Sequence, residues 1–258
     1  MCTEPIREFP HFIGIEEENV FKSIANLGED FFLIHNLDIL FKTSLELEPL
    51  DDVNLKIPAF LYLIIHGEFY QGMTAFLRMH QSKSFVSLRI ALDCAFTAYY
   101  LMKHPDKTDI YLSKLNDDKN PEWNKIFFNI KRTIKDDIDN FPLAKGLPET
   151  HEFCSIYSHS DAIGLLHRYR ISESKLEATY FDYEPKLDDY NKWLAQLIGT
   201  FFRIYLIFWQ EIFKQKAGAK KEQIETLLRE YSLRLNAFLK RYPLGEVETK
   251  EGKKDSSI

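Results

Sequence analysis

Arg89 and Asp93 stand four residues apart in the stretch from Phe85 to Met102, where every other residue is apolar, aromatic or small and neutral. On a helix this spacing puts both on one face, but acid after base is the less favourable order for a surface pair. Surface pairing is therefore a poor reason for the two to be there. If both are buried, each requires partners, and an arginine fork can hold a carboxylate, a phosphate or backbone carbonyls. Either they form an internal ion pair that fixes helix packing, or they belong to a ligand or catalytic site.

A second cluster is Tyr157-Ser158-His159-Ser160-Asp161, at an expected helix end. Histidine titrates near neutral pH, so His159 could act as acid or base with Asp161 orienting it. The same polar residues could equally satisfy the last carbonyls of the helix. His151 and Glu152 share that short helix, with His151 eight residues from His159. His66, in IIHGEFY, reads as a core-edge histidine or a ligand contact, and Gly67 beside it allows close approach of a helix or ligand. His66 and Glu68 are two apart and face different ways, so they are no metal pair. Neither Glu-x-x-His on facing helices nor His-Glu-x-x-His occurs, so no metal is expected. GxGxxG, GxxxxGK[ST] and GxSxG are absent too, so no nucleotide cofactor or hydrolase elbow is expected. Cys94 and Cys154 read as small core residues.

Helices must position these groups. The chain has 258 residues, with Phe 21 and Tyr 13 against four valines, and Gly and Pro at 10 each. That balance disfavours sandwiches, barrels and glycine-rich α/β folds and predicts an all-α multi-helix bundle. Residues 1–15 read as an irregular arm. The apolar stripe Val20, Ile24, Leu27, Phe31, Ile34, Leu37, Phe41 and Leu45 predicts one helix over 16–46. Further helices are expected over 57–80 (with Leu61, Ile64, Ile65 and Phe69 inside), 84–103, 106–118, 121–141 (with Trp123, Ile126, Phe127, Ile130, Ile134 and Ile138 facing inward), 149–158 with Thr150 as N-cap, 186–216 and 220–241. The 84–103 helix is apolar almost all round and should be central. Two runs rich in Tyr, Phe and Ile around Ser172-Glu173-Ser174 predict a small β-hairpin insertion within 163–183. Residues 243–258 read as a charged, disordered tail, leaving 16–242 as a single helical domain.

The formal charge is -6, which offers no overall footprint for nucleic acid. Three cysteines without paired spacing and a start lacking a cationic-then-apolar segment point to a reducing, cytoplasmic setting. The run from Trp193 to Trp209 is long and apolar but contains Gln196 and Arg203, so it reads as a buried helix and no membrane span is expected.

The segments SLRIALDCAFTAYYLMKHP (Ser87 to Pro105) and FCSIYSHSD (Phe153 to Asp161) together resemble a broad group of mostly bacterial all-α proteins. Their Arg-x-x-x-Glu helix is followed by a Tyr-x-x-(Leu)-Ser-x-x-x-His stretch. Arg89 matches the arginine, Asp93 stands where glutamate is usual, and Tyr157, Ser158 and His159 give a compressed second motif. The resemblance implies a fold rather than an activity. A more distant likeness is to the higher eukaryotes and prokaryotes nucleotide-binding helical domains, whose ribonuclease members carry Arg and His close together on one helix. This chain lacks that local spacing, so a metal-independent ribonuclease or other phosphate-handling site would require Arg89 and His159 to meet in space.

The sequence thus favours a helical binding or interaction protein, homodimeric through exposed aromatic helix faces. The competing class is an enzyme with Arg89 and His159 as catalytic residues and Asp93, Tyr157, Ser158, Asp161 and His66 as ligand contacts.

Overall fold

The computed structural model describes residues 8–47, 53–113, 121–137, 141–158, 169–172, 175–178 and 187–243. Pro10 can open a helix because its missing N–H falls in the unbonded first turn. The first helix, α1, accordingly spans Phe9–Leu27. Residues 9–15 are thus helical rather than part of an irregular arm, and Ile15 is buried.

Nor is 16–46 one rod. Gly28 adopts φ +52°, which glycine reaches without steric cost, and a single 3-10 turn, Gly28–Asp30, leads into α2, Phe31–Leu45. Of the expected stripe, Leu27, Ile34, Leu37 and Phe41 are buried, Val20, Ile24 and Phe31 are half-buried, and Leu45 is exposed.

Helix α3 is Val53–Leu77 and α4 is Gln81–Lys103. Their junction is a Schellman closure: the His80 N–H reaches the Ala75 carbonyl at 2.9 Å and the Met79 N–H reaches Phe76 at 3.0 Å. Met79 holds the left-handed position, φ 64°, where glycine is usual. The two helices then pack closely, with Gly72 facing Ser87 so nearly that an added Cβ would sit 3.5 Å from the serine Cβ.

Beyond Pro105 lie a short helix, α5 (Thr108–Ser113), and the amphipathic α6, Pro121–Asp136. Ile126, Ile130 and Ile134 face inward as expected, but Phe127 is exposed; it lies one position beyond the isoleucine row and stacks on Trp123 instead. Helix α7 is Leu147–Ser158. Thr150 is not its cap: its hydroxyl donates back to the Gly146 carbonyl at 2.8 Å, within the first turns. The helix starts earlier because Pro148 suits its opening turn.

Strands β1 (Tyr169–Ser172) and β2 (Lys175–Ala178) pair antiparallel, Tyr169 opposite Ala178 and Ser172 opposite Lys175. This is the hairpin centred where the Ser172-Glu173-Ser174 turn predicts it. Helix α8, Leu187–Phe208, continues through a π turn, Trp209–Phe213, and α9, Lys221–Arg241, completes the bundle.

Large flat side chains fill the space between helices. Phe41 from α2 meets Phe69 of α3 at 5.5 Å and the edge of Tyr205 of α8 at 5.5 Å, and Phe69 meets Phe201 edge-on at 5.3 Å. Such offset and edge contacts exceed the stabilisation of buried area alone by about 0.5–1.5 kcal/mol per pair. Two of the polar tips are satisfied, Tyr62 donating to the Phe41 carbonyl at 3.2 Å and Tyr205 sharing a 2.8 Å hydrogen bond with Ser44, whereas the buried Tyr231 hydroxyl has no partner among the described residues.

The 193–209 run is inside this core, with Leu194, Ile198, Phe201, Tyr205 and Phe208 fully buried. Its Arg203 donates to the Lys145 carbonyl at 2.8 Å. Among the described residues α4 is the one helix long and apolar enough to cross a membrane, and over half of that stretch is buried within the protein. It holds the centre of the bundle, packed against α3, α6, α7 and α8.

Candidate functional site

Three helices bring a polar cluster together at the outer edge of this apolar frame. Asp93 projects from α4, Lys131 from α6 and His151 from α7. His151 is 1% exposed, and its two ring nitrogens are both engaged: Nε2 lies 2.8 Å from Asp93 Oδ1, and Nδ1 lies 2.9 Å from Lys131 Nζ.

An ammonium can only donate, so Nδ1 must accept from Lys131, and the ring proton must sit on Nε2 and point at Asp93. The chain of donors therefore runs from Lys131 through a neutral His151 to Asp93. Partial burial pushes the Lys131 amine below its ordinary value; the Asp93 charge opposes this and the Arg89 charge reinforces it.

Asp93 is not the sealed group its apolar sequence context suggests. Its side chain is 51% exposed, and its hydrogen-bond partner is His151. Arg89, one turn earlier, is half-buried and lies near enough to bias both Lys131 and Cys154 electrostatically. Neither described thiol is poised as a nucleophile. Burial pushes Cys154 up to about 12 and Cys94 up to about 11, far from the thiolate that reactivity needs.

His66 occupies a second cluster, between α2 and α3. Its Nε2 is 2.9 Å from Asp38 Oδ1, which also accepts from the Tyr70 hydroxyl at 2.6 Å, while Lys42 lies 2.8 Å from Asp38 Oδ2. Burial raises the Asp38 carboxyl, but hydrogen bonds from Lys42, Tyr70 and His66 outweigh it and hold the group below its ordinary value. Phe41 stacks on the imidazole at 5.1 Å. His80 repeats the device at the α3–α4 turn, 2.9 Å from Glu16 of α1. Three histidine–carboxylate pairs thus tie separate helices, and at His151 the chain of hydrogen bonds runs on from the second ring nitrogen to a cation.

Arg89 and Asp93 therefore share one site, whereas His66 belongs to another. Tyr157 and Ser158 lie in the last turn of α7. His159 and Asp161, the other half of the expected Arg–His site, lie outside the described residues. Sequence reasoning passed over Lys131, Asp38 and the partnership of His151. Asp93 and His151 are 58 residues apart, and no local spacing marks them. Asp38 was legible only as a lone acid in the α2 stripe. Among the described residues no group of His, Cys, Asp and Glu could hold a metal ion.

A different feature lies on the outside of α3. Lys56, Phe60, Leu63, Ile64, Gly67, Gln71 and Thr74 recur at three- and four-residue steps and are all exposed. Phe60 is 60% exposed, Leu63 49% and Ile64 48%. Ile64 was expected inside; it falls on the far side of Ile65, which takes the core position. An alanine methyl at Gly67 would meet nothing within 4 Å. No protein-family model, curated protein or solved structure matches the chain.

Proposed function

We propose that the protein is a helical interaction module that self-associates through the outward stripe of α3. The observation that carries this reading is the run of Phe60, Leu63 and Ile64, large apolar side chains left about half in water on one helix face. Contiguous exposed apolar residues of this kind mark interaction surfaces, whereas scattered ones do not.

The chemistry favours a second copy. The stripe between Phe60 and Gly67 carries no charge, on a chain of net charge -6, so two copies approach with least repulsion there. Phe60 and Gly67 are seven residues apart, two helical turns or about 10 Å. Antiparallel packing of α3 on α3 places each Phe60 over the partner's Gly67, a knob against the lowest point of the same stripe.

The test is the double variant Phe60→Asp/Ile64→Asp, followed by sedimentation velocity and circular dichroism. Loss of the heavier species with unchanged helical signal supports the reading. A wild-type chain that already sediments as a monomer without a companion overturns it.

A further inference from the structure

The donor chain at the α4–α6–α7 junction does something that the α3 stripe does not require. We propose that Lys131 is a reactive amine that forms an imine with a small carbonyl compound, an aldehyde or keto acid, with His151 and Asp93 as the relay that removes its proton.

A lysine nucleophile must lose a proton while staying accessible. Lys131 is accessible and has a base beside its amine. The residue is exposed, yet its amine end lies 2.9 Å from His151 Nδ1. Transfer of one Lys131 proton to Nδ1, with release of the Nε2 proton to Asp93 Oδ1 across 2.8 Å, leaves a neutral amine, a neutral imidazole in the other tautomer and a neutral carboxyl. One ion pair is discharged and no charge is left behind in the helix junction. The amine lone pair then attacks the carbonyl carbon and the C=O π pair moves to oxygen, which takes up both protons of the attacking nitrogen in turn. Loss of that oxygen as one water gives the imine, and the proton held on Asp93 returns through His151 to the imine nitrogen. No oxidant or reductant is needed, and the step reverses by hydrolysis.

Besides His151, the charged groups around the amine are Arg89 and Asp93 on α4, Lys135 on α6 and Glu152 on α7. Arg89 disfavours a second positive charge beside it, while Asp93 favours one. Partial burial is the largest influence, and the net effect holds the amine below its ordinary value.

The experiment traps the imine in the whole chain. Protein at pH 7 is treated with glyoxylate and sodium cyanoborohydride, and peptide mass spectrometry reads the alkylated fraction of each lysine. Lys131 should be modified about fivefold or more over Lys125, an exposed lysine of the same helix, because His151 Nδ1, 2.9 Å from its amine, relays the departing proton to Asp93. In His151→Gln and Asp93→Asn that excess should fall towards one. Asp93 is half-exposed, so Asp93→Asn keeps the test intact if His151→Gln fails to fold. The proposal is overturned if Lys131 reacts no faster than Lys125 in the unmodified chain, or if its excess persists in Asp93→Asn. Phe60→Asp/Ile64→Asp should label like the unmodified chain, so this result stands or falls apart from the α3 interface.

Discussion

His151, in α7, holds Asp93, 58 residues earlier in α4, across 2.8 Å while Lys131 of α6 occupies its other nitrogen. One buried imidazole therefore joins three helices, and its removal breaks both of these contacts.

His151→Ala should destabilise the fold by about 2–3 kcal/mol, the cost of a cavity plus lost buried hydrogen bonds. For a chain of this size that is about 5–10 °C in melting temperature. Differential scanning calorimetry checks it, and a shift below 2 °C, about half a kcal/mol, would mean that the bridge is not structural.

Asp38 sets an acid limb. Its carboxyl is held below its ordinary value of 3.8, so the ionised form is favoured by folding. The stabilisation is fully present above that value and is lost as pH falls below it, towards the folded-state value. Urea midpoints at pH 7 and pH 3 should drop more for the unmodified chain than for Asp38→Asn. Equal drops would remove Asp38 from the account.

Phe41 touches Tyr62, His66, Phe69 and Tyr205 and is fully buried. Phe41→Ala should cost about 3–5 kcal/mol. Chemical denaturation gives the value, and a loss under 1.5 kcal/mol, well short of that range, would show that the aromatic core repacks around the gap.

Two glycines of α3 separate packing from surface. Gly67 faces open space, so Gly67→Ala should raise the stability of a single chain by about 0.5–1 kcal/mol through helix propensity. A larger side chain at Gly72 must displace Ser87, the Ser84 carbonyl or Phe201, so Gly72→Leu should destabilise by about 1–3 kcal/mol. Denaturant midpoints compared under monomeric conditions would contradict this if the two sites responded alike.

The helical frame was legible in the sequence because 3.6-residue periodicity survives in amphipathic elements such as the α2 stripe and the isoleucine row of α6, while α4 showed itself by a long apolar run without Gly or Pro. Boundaries failed where a single residue decides them, as at Gly28 with its positive φ and at Pro10 opening α1. Faces failed where one step round the helix separates core from solvent: Ile64 lies outside while Ile65 lies inside, and Phe127 is exposed beside buried Ile126. The Arg89 and Asp93 pair directed attention to the correct helix, but the groups completing the cluster come from α6 and α7. Sequence spacing cannot supply a contact between helices, and so Lys131 and His151 entered only with the packing.

The self-association claim is tested most directly by the native mass of the unmodified chain at micromolar concentration, measured by light scattering beside Gly67→Leu. The interface described here predicts twice the 30.5 kDa of a single chain, and the single-chain mass for Gly67→Leu, whose new side chain blocks Phe60 of the other copy. A mass of 30.5 kDa for both, or an undisturbed dimer in Gly67→Leu, would contradict it.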